Sequence, residues 1–384
     1  MKKLLIISPE YTNPCGGVAG YLRRLAGELS KDIEVDILTT AGGKETVMFG
    51  NDNLRIYKMI KRWDIFHIIK ITDFIDKGDY GCINIQYVPQ MYGWNGVHLS
   101  LVLLLFWCRL KRKRIFIYCH EIALPISLKY WYWFPFAIYN RIIYMLITMF
   151  SARIGLPLRV WTDKSAGIFF WMRNKFIFIP VFSNFETVYL TDTDKEAMRT
   201  ELKLQKDEKI LLFLGSLHPS KLLNYVVDAL DYALEKGHKV RLICTGVESE
   251  RVITLLNPQQ QHLKDKIIAT GFLPQDKLSR LLNIADIYLC PYFDGISTRR
   301  TSAMAGLQAG LATVSTLGKD TDLRIFNNSS LILADSKKAF IKNAERLLSD
   351  NDARKEISRH AHDLYENNFG LDKISKRYIE CCKL

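Results

Sequence analysis

The chain has no C-x-x-C spacing, no G-x-G-x-x-G turn, no solenoid-period repeat and no uninterrupted apolar run long enough to span a bilayer. Each absence removes a class of function. Without C-x-x-C or Cys/His pairing, the eight cysteines (Cys15, Cys82, Cys108, Cys119, Cys244, Cys290, Cys381 and Cys382) suggest neither a zinc site nor a disulfide framework. Reduced thiols in a cytosolic protein are the expectation. Without the dinucleotide fingerprint and its acidic ribose-binding partner, a nicotinamide enzyme is disfavoured. Zinc-finger spacing, RNP-like aromatic motifs and a separate basic arm are also missing, so nucleic acid is not an expected partner. Lys2 and Lys3 precede LLIIS, Pro9, Glu10 and a Gly-rich loop, which reads as a first strand and not a cleavable leader, so a cytoplasmic location is expected.

What is present fits a two-domain protein. At 384 residues, 48% hydrophobic and 24% charged, the chain is globular and long enough for two cores. The net charge of +13 is lopsided: residues 1–180 carry 24 Lys and Arg against 13 Asp and Glu, whereas residues 181–384 carry 29 against 27. An anionic partner therefore belongs to the first half, and an anionic membrane surface suits it. Residues Trp131 to Phe150 are apolar and aromatic with only Arg141 charged, but Pro135, Asn140 and Arg141 interrupt them. With Arg109, Lys111, Arg112, Lys113 and Arg114 nearby, they read as a monotopic contact or as a core helix beside a solvated basic end.

Strand, Gly-containing loop, amphipathic helix and strand succeed one another from Lys3 to Thr40, as a βαβ unit requires. Gly16 and Gly17 either let backbone approach a phosphate or simply make a tight turn. Strands at Gly81 to Val88 and Arg114 to Cys119 follow, the second ending at His120 and Glu121, where parallel sheets bind ligands; a buried, satisfied histidine is the competing reading. A strand near Ile177 to Val181 leads into a polar linker with a short helix, and the βα alternation restarts at Lys209. The fold class is thus α/β with two Rossmann-like domains, divided as residues 1–184, a linker 185–208, a second domain 209–365 and a terminal amphipathic helix 366–384 that packs back on the first domain.

The centre of the second domain runs from Ala285 to Ser315. A buried strand at Ile287 to Pro291 feeds a polar loop holding Asp294, Gly295, Ser297, Arg299 and Arg300, then a small-residue helix. Unpaired N–H groups at a helix start attract anions. Two adjacent arginines add bidentate donors, so a diphosphate is the expected ligand.

Taken together, PCGGVAGYLRRLA, YCHE, FLGSLHPSK, ATGFLP and AMAGLQAGLATVST resemble, in order and spacing over nearly the whole chain, the retaining nucleotide-sugar glycosyltransferases of family 4, with the GT-B fold. The resemblance implies a nucleotide-diphosphate sugar as donor, no further cofactor, and a glycan acceptor. By that resemblance Lys221 with Arg299 or Arg300 neutralises the leaving diphosphate, Asp294 meets sugar hydroxyls, and His120, with Glu121 on the acceptor side, sits near sugar and acceptor. Gly16 and Gly17 offer backbone donors. Gly215, Ser216, Gly271, Phe272, Leu273, Gly295, Ile296, Ser297, Thr298, Thr301 and Ser302 complete the donor site. Where the family loop carries two glutamates, this chain has Asp294 and Ser302, and where the family has an arginine it has Ser216. A non-catalytic partner subunit is therefore the competing reading, with a GT-B epimerase or inverting enzyme as further alternatives. Asp192 and Asp194, and Asp320 and Asp322, both form Asp-x-Asp, but the first pair falls in the linker and the second after the loop's exit strand, away from the phosphate, so no metal is expected. The basic first domain favours a lipid-linked acceptor in surface-polysaccharide synthesis and a peripheral place at the inner face of the cytoplasmic membrane.

Overall fold

The computed structural model describes residues 3–13, 16–93, 96–123, 131 and 133–383. Cys15 and Tyr132, which entered the thiol and aromatic-stretch readings, lie outside the described residues; the other seven cysteines are free thiols. Two compact units emerge, one of residues 1–180 with 371–384 and one of residues 181–370.

In chain order the first unit contains β1 (Lys3–Ile7), α1 (Gly17–Leu29), β2 (Glu34–Thr40), β3 (Thr46–Asn51), β4 (Leu54–Ile60), α2 (Ile65–Lys77), β5 (Cys82–Tyr87), α3 (Leu99–Leu110), β6 (Ile115–Cys119), α4 (Phe134–Phe150), β7 (Arg153–Leu156), α5 (Arg159–Ile168) and β8 (Phe176–Phe178). Its eight strands lie in the order β3-β4-β2-β1-β5-β6-β7-β8, parallel except for the β3/β4 pair. A parallel sheet is covered by helices on both faces, which is why β5 and β6 are buried at every residue. Only apolar runs survive there cheaply, and Asn84 and Gln86 on β5 are therefore unusual.

The second unit contains α6 (Asp192–Glu201), β9 (Lys209–Leu214), α7 (Leu223–Glu235), β10 (Val240–Thr245), α8 (Ser249–Ile253), β11 (Ile267–Ala269), α9 (Gln275–Leu282), β12 (Ile287–Cys290), α10 (Thr301–Gln308), β13 (Ala312–Thr316), β14 (Ile332–Ala334), α11 (Lys337–Ser349) and α12 (Asn351–Asn368). Its sheet is wholly parallel, in the order β11-β10-β9-β12-β13-β14. The chain grows outward from β9 through β10 to β11, then returns to lay β12 on the other side of β9. That reversal leaves a crevice at the carboxyl ends of β9 and β12, where open α/β sheets take ligands. Helix α6 shows that the charged segment before β9 is ordered: Thr191 and Asp194 form a reciprocal capping box at its start.

The chain ends in α13 (Leu371–Cys382), whose Ile374, Ser375, Tyr378, Cys381 and Cys382 are buried at helical spacing. This helix belongs to the first unit. Tyr378 lies 5.1 Å from the Phe116 ring and 5.4 Å from Tyr118, and its hydroxyl accepts from Tyr21 at 3.2 Å.

Candidate active site

In the second unit the loops after β9 and β12 are clamped together by a short antiparallel contact. Phe293 N–H donates to the Ser220 carbonyl at 2.8 Å and Leu222 N–H to that of Pro291 at 3.1 Å, with Lys221 and Tyr292 forming the bridge. This brings Lys221 from one loop near Arg300 from the other. Lys221 Nζ donates to the Leu214 carbonyl at 2.6 Å, directly over Gly215. Gly215 has φ +97°, which favours glycine, and a Cβ there would displace the lysine ammonium. Burial, and then the Arg300 charge, lowers the Lys221 pKa to about 8.

Asp294 holds both arginines. Arg300 Nη2 donates to its two carboxylate oxygens at 2.6 and 2.8 Å, and Arg299 Nη2 to one of them at 2.8 Å. Burial opposes the Asp294 charge, but Arg300 and Arg299 outweigh it and hold the carboxyl below its ordinary range. The Arg300 guanidinium also lies 4.7 Å from the Tyr292 ring centre and donates to Ser220 Oγ at 3.1 Å, while its Nε has no partner among the described residues. Ser302 Oγ shares a 3.0 Å hydrogen bond with Tyr292 Oη. Helix α10 begins at Thr301, directly after Arg300, with no side-chain cap and no acidic residue in its first turn.

One expectation is corrected here. Asp320 does not stand apart from the anion loop: its N–H donates to the Asp294 carbonyl at 2.9 Å and its carboxylate lies 3.6 Å from Arg299. Close backbone packing is the cause, since a Cβ on Gly318 would collide with Asp294 and one on Gly295 (φ +83°) with Gly318. Burial chiefly raises the Asp320 pKa, Arg299 partly opposing and Asp294 reinforcing it. Its companion Asp322 is paired with Arg324 at 2.8 Å, and Asp194 is spent on the α6 cap. Three cations thus meet one firmly ionised carboxylate and one that resists ionisation, so the cluster is positive overall.

The other residues expected at the donor site spread along the same edge of the sheet. Gly271, after β11, accepts from Gly246 N–H at 2.6 Å and donates to Val247 at 3.0 Å; Phe272 is exposed and Leu273 half-buried. Ser216 is exposed and Thr301 half-buried, whereas Ile296, Ser297 and Thr298 are buried, the last accepting from Val181 N–H at 2.9 Å.

Gly16, Gly17, His120 and Glu121 lie in the first unit. Gly16 is the N-cap of α1 and packs against the Glu10 carboxylate. Glu121 is exposed. His120 follows β6, its N–H donating to the Tyr87 carbonyl at 2.9 Å and its ring set edge-on to Tyr21 and Tyr118 at 5.3 and 4.8 Å. A polar chain fixes the ring. Asn84 Nδ2 donates to the Phe116 carbonyl at 3.1 Å, Gln86 Nε2 to Asn84 Oδ1 at 2.5 Å, and Gln86 Oε1 is left 2.8 Å from His120 Nε2. With Gln86 oriented this way only its oxygen faces the ring, so Nε2 carries the proton and Nδ1 keeps the lone pair. Burial lowers the His120 pKa to about 3, so the ring is neutral near pH 7. Sequence reasoning passed over Asn84 and Gln86; two polar residues alternating with isoleucines in an interior parallel strand were the available signal.

Comparison with known proteins bears on the fold. The chain is 26% identical over 200 residues to an uncharacterized glycosyltransferase of Methanocaldococcus jannaschii, covering 51% of this chain and 50% of that one, so it spans about half the length of that relative. Among solved structures it resembles a sucrose-phosphate synthase from Thermosynechococcus elongatus (TM-score 0.74, 15% identity, 100% of this chain and 98% of that one). It also resembles the Anabaena protein HepE solved with UDP and glucose (TM-score 0.72, 13% identity, 100% of both chains). These likenesses show the fold, that of GT-B glycosyltransferases built from two Rossmann-like domains. Residues 194–363, which include Lys221, Asp294, Arg299 and Arg300, match the family model described as Glycosyl transferases group 1.

Proposed function

We propose that the protein is a retaining glycosyltransferase that moves a sugar from a nucleotide-diphosphate donor to a lipid-linked glycan acceptor in surface-polysaccharide synthesis, at the inner face of the cytoplasmic membrane. The observation that carries this is the convergence of Lys221, Arg299 and Arg300 at the strand-order reversal of the unit that matches the Glycosyl transferases group 1 model. As the bond from the sugar to the diphosphate breaks, negative charge grows on the leaving oxygen. Preplaced cations stabilise that charge more than they stabilise the intact donor. A diphosphate arriving here competes with Asp294 for the arginines, exchanging one anion for another while Lys221 adds its proton-bearing ammonium. Because lysine and arginine supply the positive charge, the proposed chemistry is metal-independent. HepE, the Anabaena neighbour, was solved with UDP, which supports a nucleotide donor. Neutral His120, with Nδ1 as acceptor, suits a hydroxyl-binding role on the acceptor side.

One observation favours a second reading, a non-catalytic partner subunit: Asp294 is occupied by two arginines and Ser302, standing where a carboxylate is usual, is occupied by Tyr292. Turnover separates the two. Purified wild-type protein should release UDP or another nucleoside diphosphate from its sugar donor, and Lys221→Ala and Arg300→Ala should each lower that rate at least about a hundredfold with the fold intact by circular dichroism. Donor turnover that is absent in the wild type, or near normal in both variants, rejects the catalytic site.

A further inference from the structure

The first unit's excess charge is concentrated. Residues 96–175 hold twelve Lys and Arg against two Asp and Glu, which is nearly all of the imbalance in residues 1–180. The same segment supplies α3 and α4, and both are apolar around their whole circumference. On α3, Leu101, Val102, Leu104, Leu105 and Cys108 enter the core, while Leu99, Leu103, Phe106 and Leu110 form a second stripe that is 37 to 66% exposed. On α4, Phe134, Ile138, Ile142, Met145 and Met149 form another, 39 to 50% exposed. Successive members are three or four residues apart, so each set occupies one helix face. A water-facing helix normally spends that face on charged residues; these two carry one charge each, Arg109 and Arg141.

The two helices are neighbours, with their C-terminal ends together: Phe106 meets Phe150 at 5.6 Å between ring centres, and Lys175 donates to the Thr148 and Met149 carbonyls at 2.9 and 3.0 Å. Arg109 lies close enough to Lys175 to help lower its pKa, after burial. Lys111, over the Trp107 ring and paired with Asp76 at 3.3 Å, and then Arg112 and Lys113 continue the basic end. The apolar stripe therefore runs into a cationic rim.

We infer that the exposed α3–α4 face is the membrane-docking surface of this protein, seated in the headgroup region of an anionic bilayer with Leu99, Leu103, Phe106, Leu110, Ile142 and Met149 toward the acyl chains and Arg109, Arg112 and Lys175 at the phosphates. No described helix is long and apolar enough to cross a membrane, so the face lies along the interface. Charge selects the occupant. A second copy of the chain would bring the same cationic rim against itself, because two-fold association is self-complementary in surface and not in charge. Anionic lipid answers both the apolar stripe and the rim. The inference rests on the proposed function only for placing the acceptor at the bilayer; the surface itself is read from exposure and charge.

The test is flotation of the full-length protein with vesicles of pure phosphatidylcholine and of equimolar phosphatidylcholine and phosphatidylglycerol, with its oligomeric state followed by analytical ultracentrifugation. A monomer that floats with the anionic vesicles alone is expected. Leu110→Ser with Met149→Ser should weaken partitioning by about tenfold or more, and Arg109→Glu with Arg112→Glu should abolish the anionic preference. Both variants should keep the UDP-induced rise in melting temperature, which reports the other unit. No flotation, flotation unchanged in both variants, or a wild-type dimer that the serine variant dissociates would overturn the inference. Loss of the UDP response in the wild type with flotation intact would instead count against the proposed donor site alone.

Discussion

Affinity for UDP should fall about tenfold between pH 7 and pH 9, because one of the cations that would receive the diphosphate loses its proton in that interval. Lys221 titrates at about 8. If binding needs the ammonium, the apparent dissociation constant scales as one plus the ratio of neutral to charged lysine, which rises from about 1.1 at pH 7 to about 11 at pH 9; this is about 1.4 kcal/mol. The ligand adds no trend of its own there, since a terminal phosphate with its second pKa near 6 is already ionised. Arg299 and Arg300 stay charged throughout. Isothermal titration across pH 6.5 to 9.5 measures the curve, and Lys221→Met, which has no proton to lose, should be weaker at pH 7 and flat with pH. A wild-type curve without a break, or a variant with the same slope, would refute the assignment of Lys221 to the diphosphate. Stability has a related sign: the folded-state pKa is depressed, so the lysine's contribution becomes more favourable as pH rises from about 8 toward 10.5.

Three more perturbations probe the rest of the site. Asp294→Asn should release both arginines, tightening UDP several-fold at low salt while sugar transfer falls; weaker UDP binding would mean that Asp294 positions the arginines instead of competing for them. Gly318→Ala forces a Cβ into the Asp294 backbone and should cost about 2 kcal/mol or more in chemical denaturation, with loss of the UDP response; a neutral result would contradict the packing that brings Asp320 to Arg299. His120, held neutral down to about 3, opposes protonation, so its share of stability is lost as pH falls from about 6.5 through 3. Gln86→Glu should raise that pKa and so shrink the loss of stability on acidification, and Gln86→Leu should release the single tautomer; the nitrogen shifts of the ring read both, and an unchanged spectrum would break the proposed Asn84–Gln86–His120 chain.

The fold was legible wherever apolar runs alternated with amphipathic ones. β1, β2, β5, β6, β9, β10 and β12 appear within a residue or so of their sequence patterns, because a strand buried on both faces must be apolar nearly throughout. The β3–β4 pair was not, since every residue of β3 is exposed and its sequence carries no burial pattern to read. The strand β11 ends at Ala269, ahead of Gly271, which at φ +61° turns the chain away. Helix α13 was readable as amphipathic, and its contact with the first unit comes from Tyr378 finding Tyr21 and Phe116, residues far away in the chain.

The sequence alone determined the α/β class, the restart of the βα pattern near Lys209, and the chemistry available after β12, because burial and charge impose their own residue types on each segment. It also placed Lys221 and Arg300 in separate loops and Asp320 beyond an exit strand. Only the tertiary structure decided that Arg300 and Asp320 meet Asp294 with Lys221 near Arg300, that Gln86 selects the His120 tautomer, and that the apolar stripes of α3 and α4 adjoin one basic rim. The reason is distance along the chain: strand order and close glycine contacts set which loops touch, and no local pattern of residues encodes either.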